Sequence, residues 1–363
     1  MGNYVYYRLP YATQYVKIEQ LKGEPEQLMS VSDLNGKSGF VFAPFMASQL
    51  HPIMLMRPDA VKVIDIPEGA MSMAKELREE GSDIERSAYG DVFSLFVNKI
   101  KEGQFKKIVL ARCVEVDSQI SSFNQLLSAF LKACQLYPRL FVALVSMPAC
   151  GTWLMATPEV LLERVSPFIP DGRASWRTMA MAGTMKLQGD QLRFDVPLGN
   201  VSSQQISWTT KNIQEQRYDA NYIKECLKKF TNDISEEGPY TSRAANLVHL
   251  RSDFYFTTEN HDMVGDLLNE IHPTPAICGI PKEAARLFIL DNESMSRQYY
   301  GGFVGPLNMH ESTSLYVTLR CMQVCEDKCR LYAGGGLLKN STEQKEWEET
   351  EVKLETMLNL LAQ

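Results

Sequence analysis

The hydrophobic pattern changes its period several times along the chain. Up to about residue 85, short apolar runs at Tyr4–Arg8, Tyr15–Glu19 and Gly39–Ala43, the last ended by Pro44, predict strands and turns. Val92, Phe93, Phe96, Val97 and Ile100 then fall at i, i+1, i+4, i+5 and i+8, the stripe of an amphipathic helix. Lys107 to Val116 (KIVLARCVEV) predicts a strand, and Phe123, Leu126, Leu127, Phe130 and Cys134 mark the next helix. Leu140–Val145, Trp153–Ala156 and Leu161–Val165 return to strands. A long helix is expected after Trp208, with Tyr222, Cys226, Leu227 and Phe230 on its apolar side. Leu315–Cys321 alternates, which predicts one strand with Leu315, Val317 and Leu319 on one face and Tyr316, Thr318 and Arg320 on the other. A final helix follows Ser341, whose spacing to Gln344 fits a capping box.

Long helices mixed with runs of neighbouring strands, without strict β–α alternation, predict an α+β fold with large, mostly antiparallel sheets flanked by helices. No solenoid repeat or low-complexity linker divides the chain. The expected organisation is a β-rich segment over residues 1–89, part of one compact unit with a catalytic region over 90–363.

The 363 residues include 37 Lys and Arg against 44 Asp and Glu, a net charge of −7. That balance, without a long basic tract, argues against nucleic acid or an anionic membrane surface as the main partner. Leu140–Val145 is the longest apolar stretch, far short of the ~20 residues of a membrane span. The start of the chain lacks the charged and apolar regions of a signal peptide, and the eight cysteines are scattered. A cytoplasmic protein with reduced thiols is therefore expected.

Several chemistries lack support. Gly36-Lys37-Ser38 resembles the end of a P-loop, but Val31 stands where the first glycine is required. No Gly-x-Ser-x-Gly elbow occurs. His51, His249, His261, His272 and His310 form no His-x-x-x-His pair. Cys321, Cys325 and Cys329 match no ferredoxin spacing and read as structural.

The last helix is more informative. Glu346, Glu349 and Lys353 lie at i, i+3 and i+7, on one face. Read alone, that is a solvated face. The preceding Gly334-Gly335-Gly336 is either a turn or a loop whose backbone can approach an anion closely. The helix after Trp208 repeats the pattern with Asn212, Glu215 and Asp219. Two carboxylate-bearing helices without soft partners suit a hard cation, Mg²⁺ first among them.

KIVLAR (107–112), ATPE (156–159), MAGT (181–184), VHL (248–250), HPTPAICGIP (272–281), LYVTLRC (315–321), YAGGG (332–336) and EWEETEVK (346–353) follow one another in this order. Together they resemble the chorismate-utilising family, and most of all its isochorismate synthases, over residues ~90 to 360. The resemblance implies an Mg²⁺-dependent isomerase that adds water at C2 of chorismate while the C4 hydroxyl leaves. It gives Lys107 as general base and Glu159 as general acid. It gives Glu215 and Glu349 as metal ligands, with Glu346 as a second or water-bridged one. Arg320 and Lys353, with backbone at Gly183, Thr184 and Gly334, match the groups that hold substrate carboxylates. His249 and Ala276 match the ring pocket, although His249 alone reads equally as a satisfied core residue. A base must be neutral, so the resemblance also implies a depressed Lys107 pKa, by burial and a nearby cation.

Within the family, Lys107 disfavours the anthranilate synthases, which carry Gln there and take ammonia from a glutaminase, so no such partner subunit is expected. Ala182 disfavours aminodeoxychorismate synthases, which carry Lys. Salicylate synthases share Lys107 and Glu159 and remain the alternative, with a non-catalytic anion-binding protein as the remote one. Family breadth favours menaquinone over siderophore biosynthesis. Three departures stand out: Asn212 in place of an acidic residue, Gln216 in place of a His, and Asn292–Arg297 in place of an acidic-Pro-Phe-Asp-Arg run. The first two imply a metal site with one charge fewer.

Overall fold

The computed structural model describes residues 2–67, 83–117, 120, 122–165, 173–186, 207–244 and 247–361. Its strands form two nine-stranded sheets in which every described pairing is antiparallel. The first contains β1 (Asn3–Arg8), β2 (Gln14–Gln20), β6 (Ala60–Asp65), β7 (Lys107–Asp117), β8 (Phe141–Met147), β9 (Gly151–Thr157), β14 (Gly279–Ile280), β17 (Cys321–Val324) and β18 (Lys328–Leu337). The second contains β3 (Glu26–Leu28), β4 (Gly39–Ala43), β5 (Ile53–Met56), β10 (Val160–Arg164), β11 (Ala174–Lys186), β12 (Ile234–Ala244), β13 (Leu247–Thr258), β15 (Phe303–Leu307) and β16 (Ser314–Val317). The amino-terminal strands extend both sheets: β1 pairs with β8, and β4 pairs with β15.

The sheets face each other across an aromatic layer. Phe141 of β8 stacks on Tyr316 of β16 with centroids 4.3 Å apart, and Phe42 of β4 stacks on Tyr299 at 4.3 Å. Six helices cover the outer faces among the described residues: α1 (Asp83–Lys101), α2 (Phe123–Leu136), α3 (Thr210–Leu227), α4 (Val264–Ile271), α5 (Lys282–Asn292) and α6 (Glu343–Leu361). Apolar residues of α2 and α6 pack on the first sheet; those of α1, α3, α4 and α5 join the second sheet and the start of β7.

Two local expectations are corrected. The alternating run 315–321 is not one strand: β16 lies in the second sheet, β17 in the first, and residues 318–320 cross between them. Its alternation divides two buried faces rather than an inner from an outer one. Leu315 and Val317 pack on the helix side, while Tyr316 enters the layer between the sheets. Ser341 is also not paired with Gln344. Its hydroxyl accepts the Leu338 N–H at 3.0 Å, and the Gln344 amide reaches Glu348 instead.

Candidate active site

A second crossing runs beside the first. Between β9 and β10 the chain passes from one sheet to the other through Pro158 and Glu159. The two crossings bind each other. The Thr157 hydroxyl donates to the Val317 carbonyl at 2.5 Å, Val317 N–H to the Glu159 carbonyl at 2.9 Å, and Ala156 N–H to the Arg320 carbonyl at 2.9 Å. Leaving a sheet frees a side chain from the pleat, and both Glu159 and Arg320 line the same cavity.

That cavity has a volume of about 60 Å³. Lys107, Glu159, Gly183, Thr184, Glu215, His249, Ala276, Arg320, Gly334, Glu349 and Lys353 all line it. Of the candidate residues only Glu346 stands outside its wall. Met181, Tyr300 and Leu319 also line it, apolar and aromatic positions that carry no chemical signal in sequence.

Lys107 opens β7 and is fully buried. Its Nζ donates to both carboxylate oxygens of Asp219, at 2.8 and 2.7 Å, and lies 3.1 Å from Glu215 Oε1. Burial favours the neutral amine, but the two carboxylates outweigh it and hold the ammonium above its ordinary pKa. This corrects the expectation of a depressed Lys107: its neighbours are anions, not a cation. It also reassigns Asp219, which grips the lysine instead of completing a carboxylate face with Glu215.

Glu159 is buried, with Oε1 3.3 Å from the Thr274 hydroxyl and Oε2 without a partner. Burial, reinforced by the charge of Asp219, pushes its carboxyl up to about 8, against the opposing pull of Lys107. At neutral pH it therefore holds a proton, as a general acid must.

The opposite chemistry gathers around Arg320. This guanidinium is buried, donates to the Ala244 carbonyl at 3.3 Å and to His249 Nε2 at 2.9 Å, and makes no ion pair among the described residues. Burial lowers its pKa to about 10. Because a guanidinium only donates, Nε2 of His249 must accept, which leaves the proton on Nδ1, 3.1 Å from the Gly183 carbonyl. Burial and the charges of Arg320 and Lys353 keep His249 neutral. Gly183 sits at φ +71° where β11 shifts register against β13, and a Cβ there would lie 2.9 Å from Asn212 Cβ. A glycine is what lets this bulge pass beneath α3. Lys353 donates to the Gly334 carbonyl and pairs with Glu349, both at 2.7 Å.

Three carboxylates surround the glycine run of β18. A Cβ at Gly336 would lie 2.2 Å from Glu215 Oε1 and 2.7 Å from Lys107 Cε. One at Gly335 would lie 3.3 Å from Glu346 Oε2 and 3.9 Å from Glu349 Oε1. The glycines thus make room for charged side chains, besides any approach to an anion. Each carboxylate has a lysine: Glu215 with Lys107, Glu346 with Lys211, and Glu349 with Lys353. Among the described residues no three such side chains stand at metal-binding distance. Glu346 Oε2 is nonetheless buried without a partner.

The departures from the family pattern are also placed. Gln216 turns away from the cavity to donate to the Ser252 hydroxyl at 2.8 Å, so it removes no ligand from this site. Asn212 packs its Cβ against Gly183. Glu293 and Arg297 form a buried ion pair that also holds the Ala111 N–H and the Ile277 carbonyl, tying β7 to the segment carrying Ala276.

A buried proton donor, a buried lysine and an unpaired guanidinium in one cavity define a site built for a small anion and acid–base chemistry. The sequence pattern described as chorismate binding enzyme matches residues 59–362, and the chain belongs to that family. It is 29% identical over 258 residues to the isochorismate synthase EntC of Escherichia coli (strain K12), which covers 71% of this chain. The chain spans 62% of that relative's length. The solved structure of MenF, the menaquinone-specific isochorismate synthase from Escherichia coli, shares the fold with TM-score 0.76 and 20% identity, covering 99% of this chain and 89% of MenF. Anthranilate synthase component I from Streptococcus pneumoniae TIGR4 aligns with TM-score 0.64 and 14% identity, covering 98% and 80%.

Proposed function

We propose that this protein is an isochorismate synthase, an isomerase that converts chorismate by adding water at C2 as the C4 hydroxyl departs. The carrying observation is that Glu159, protonated up to about pH 8, and Lys107 line the same cavity. Glu159 gives its proton to the departing hydroxyl, which leaves as water. The neutral amine of Lys107 takes the proton of the incoming water as that water's oxygen bonds to C2; the amine forms once the ammonium that Asp219 and Glu215 favour has lost a proton to solvent. One water enters and one leaves, so the balance needs no co-reactant. Arg320 and Lys353 hold the substrate carboxylates, and the neutral His249 fixes the Arg320 fork in place. Ala276 lines the ring pocket.

The oxygen-only set of Glu215, Glu349 and Glu346, with the unpartnered Glu346 Oε2, fits Mg²⁺. Glu215 and Glu349 would hold the ion directly, and Glu346 directly or through water. When bound, it supplies a positive charge for the ring carboxylate. Family breadth favours menaquinone biosynthesis as the use of the product, with siderophore biosynthesis as the alternative.

Chromatography of chorismate incubated with protein and Mg²⁺ tests the reading. Isochorismate is the expected product. Salicylate with pyruvate would assign the chain to the salicylate synthases, and unchanged chorismate would leave only binding.

A further inference from the structure

We propose that Asp219 is a positioning residue for the reaction: its two carboxylate oxygens fix Lys107 Nζ in the orientation from which it acts on the attacking water. This rests on the reading of Lys107 as the base.

A lysine ammonium has three donors. Two of them meet Asp219 Oδ1 and Oδ2, at 2.8 and 2.7 Å, and Glu215 Oε1 stands 3.1 Å from the same nitrogen. The three contacts differ in kind. Lys107 and Glu215 line the cavity, and Asp219 does not; it stands behind them, buried on α3. Asp219 is one helical turn after Glu215, so the same face of α3 that brings a carboxylate to the cavity wall brings a second one behind the lysine. On the strand side Gly336 makes room for the stem, since a Cβ there would lie 2.7 Å from Lys107 Cε. The Nζ is therefore anchored from behind by two bonds, and its remaining direction faces Glu215 and the cavity. A four-carbon stem with free rotation would otherwise have many orientations. A carboxylate that accepts twice selects one.

Neither the spacing of Lys107 and Asp219 nor any motif around Asp219 signals this pair. Asp219 lines no part of the cavity: its bonds go to Lys107, and on Glu159 it acts only by its charge, from a distance.

Asp219→Asn keeps the side chain's size and one acceptor oxygen but replaces the other with a donor. We expect kcat to fall by about tenfold or more, short of the ~10²–10⁴-fold of losing an acid–base group outright, while KM for chorismate changes less than about threefold. The second measurement repeats the substitution without the lysine. In a Lys107→Ala background, where a buried carboxylate no longer faces a cation, Asp219→Asn should change the residual kcat less than about twofold. An equal proportional loss in both backgrounds would show that Asp219 serves the fold of α3 and overturn the proposal. So would Asp219→Asn turning over as the unaltered protein does. If the unaltered protein makes no isochorismate, the reading of function fails and the inference falls with it; unaltered turnover with an unimpaired Asp219→Asn variant defeats the inference alone.

Discussion

The Arg320 guanidinium donates to His249 Nε2 at 2.9 Å, and among the described residues no carboxylate pairs with it at contact distance, the charge of Glu349 acting only from further off. A buried charge is costly unless paired. The imidazole is neutral, so it orients the guanidinium without balancing it. A substrate carboxylate entering the cavity would supply the missing partner. Arg320→Lys keeps the charge but loses the fork, and should weaken chorismate binding by about 1.5–3 kcal/mol, the worth of a charged hydrogen bond. Steady-state KM and direct binding measure this. Unchanged kinetics would remove Arg320 from the site.

Glu159 sets the alkaline limit of activity. Its carboxyl titrates near 8, so kcat/KM should fall as pH rises through about 8. Glu159→Gln should lower turnover by ~10²–10⁴-fold and remove that limb from the residual activity. The same group affects stability. Its pKa is raised in the folded protein, so its contribution is complete below the unfolded value near 4.5 and is lost as pH rises through about 8. Melting temperatures of the Glu159→Gln variant across that window should show a flatter pH dependence than those of the unaltered protein.

Gly336 separates fold from function. The atoms that a Cβ would meet are Glu215 Oε1 and Lys107 Cε, the far ends of side chains that can move. Gly336→Ala should therefore melt close to the unaltered protein, yet lose most turnover because Lys107 and Glu215 are pushed from their places. A variant with both normal stability and normal kcat would show that their close approach is not needed.

The metal reading makes a separate prediction. Glu349→Ala should abolish Mg²⁺-dependent turnover while leaving far-ultraviolet circular dichroism unchanged. Isothermal titration with Mg²⁺ should show binding lost in the same variant. Near-normal activity in excess chelator would contradict the assignment.

The sequence made some parts of this site legible and hid others for physical reasons. Residue type and motif order sufficed for Lys107, Glu159, Arg320 and the Gly183–Thr184 bulge, all of which line the cavity. The helices were legible too, because one face of each is apolar: the stripe from Val92 to Ile100 lies within α1. What periodicity missed was context. Alternation at 315–321 looks like a half-exposed strand because both of its faces happen to differ in polarity, yet both are buried between layers. The crossing of residues 318–320, which releases Arg320 into the cavity, has no local signature. Charge state was misread for the same reason. Lys107 is 112 positions from Asp219, and only the fold shows that its closest neighbours are carboxylates.

In the proposed reaction a solvent water replaces a hydroxyl on the substrate ring. Turnover of chorismate in ¹⁸O-labelled water, followed by mass spectrometry of the product, tests that exchange directly. Isochorismate carrying one heavy oxygen per molecule, at C2, is the expected product. Isochorismate without label, or label-free salicylate and pyruvate in its place, would contradict the mechanism.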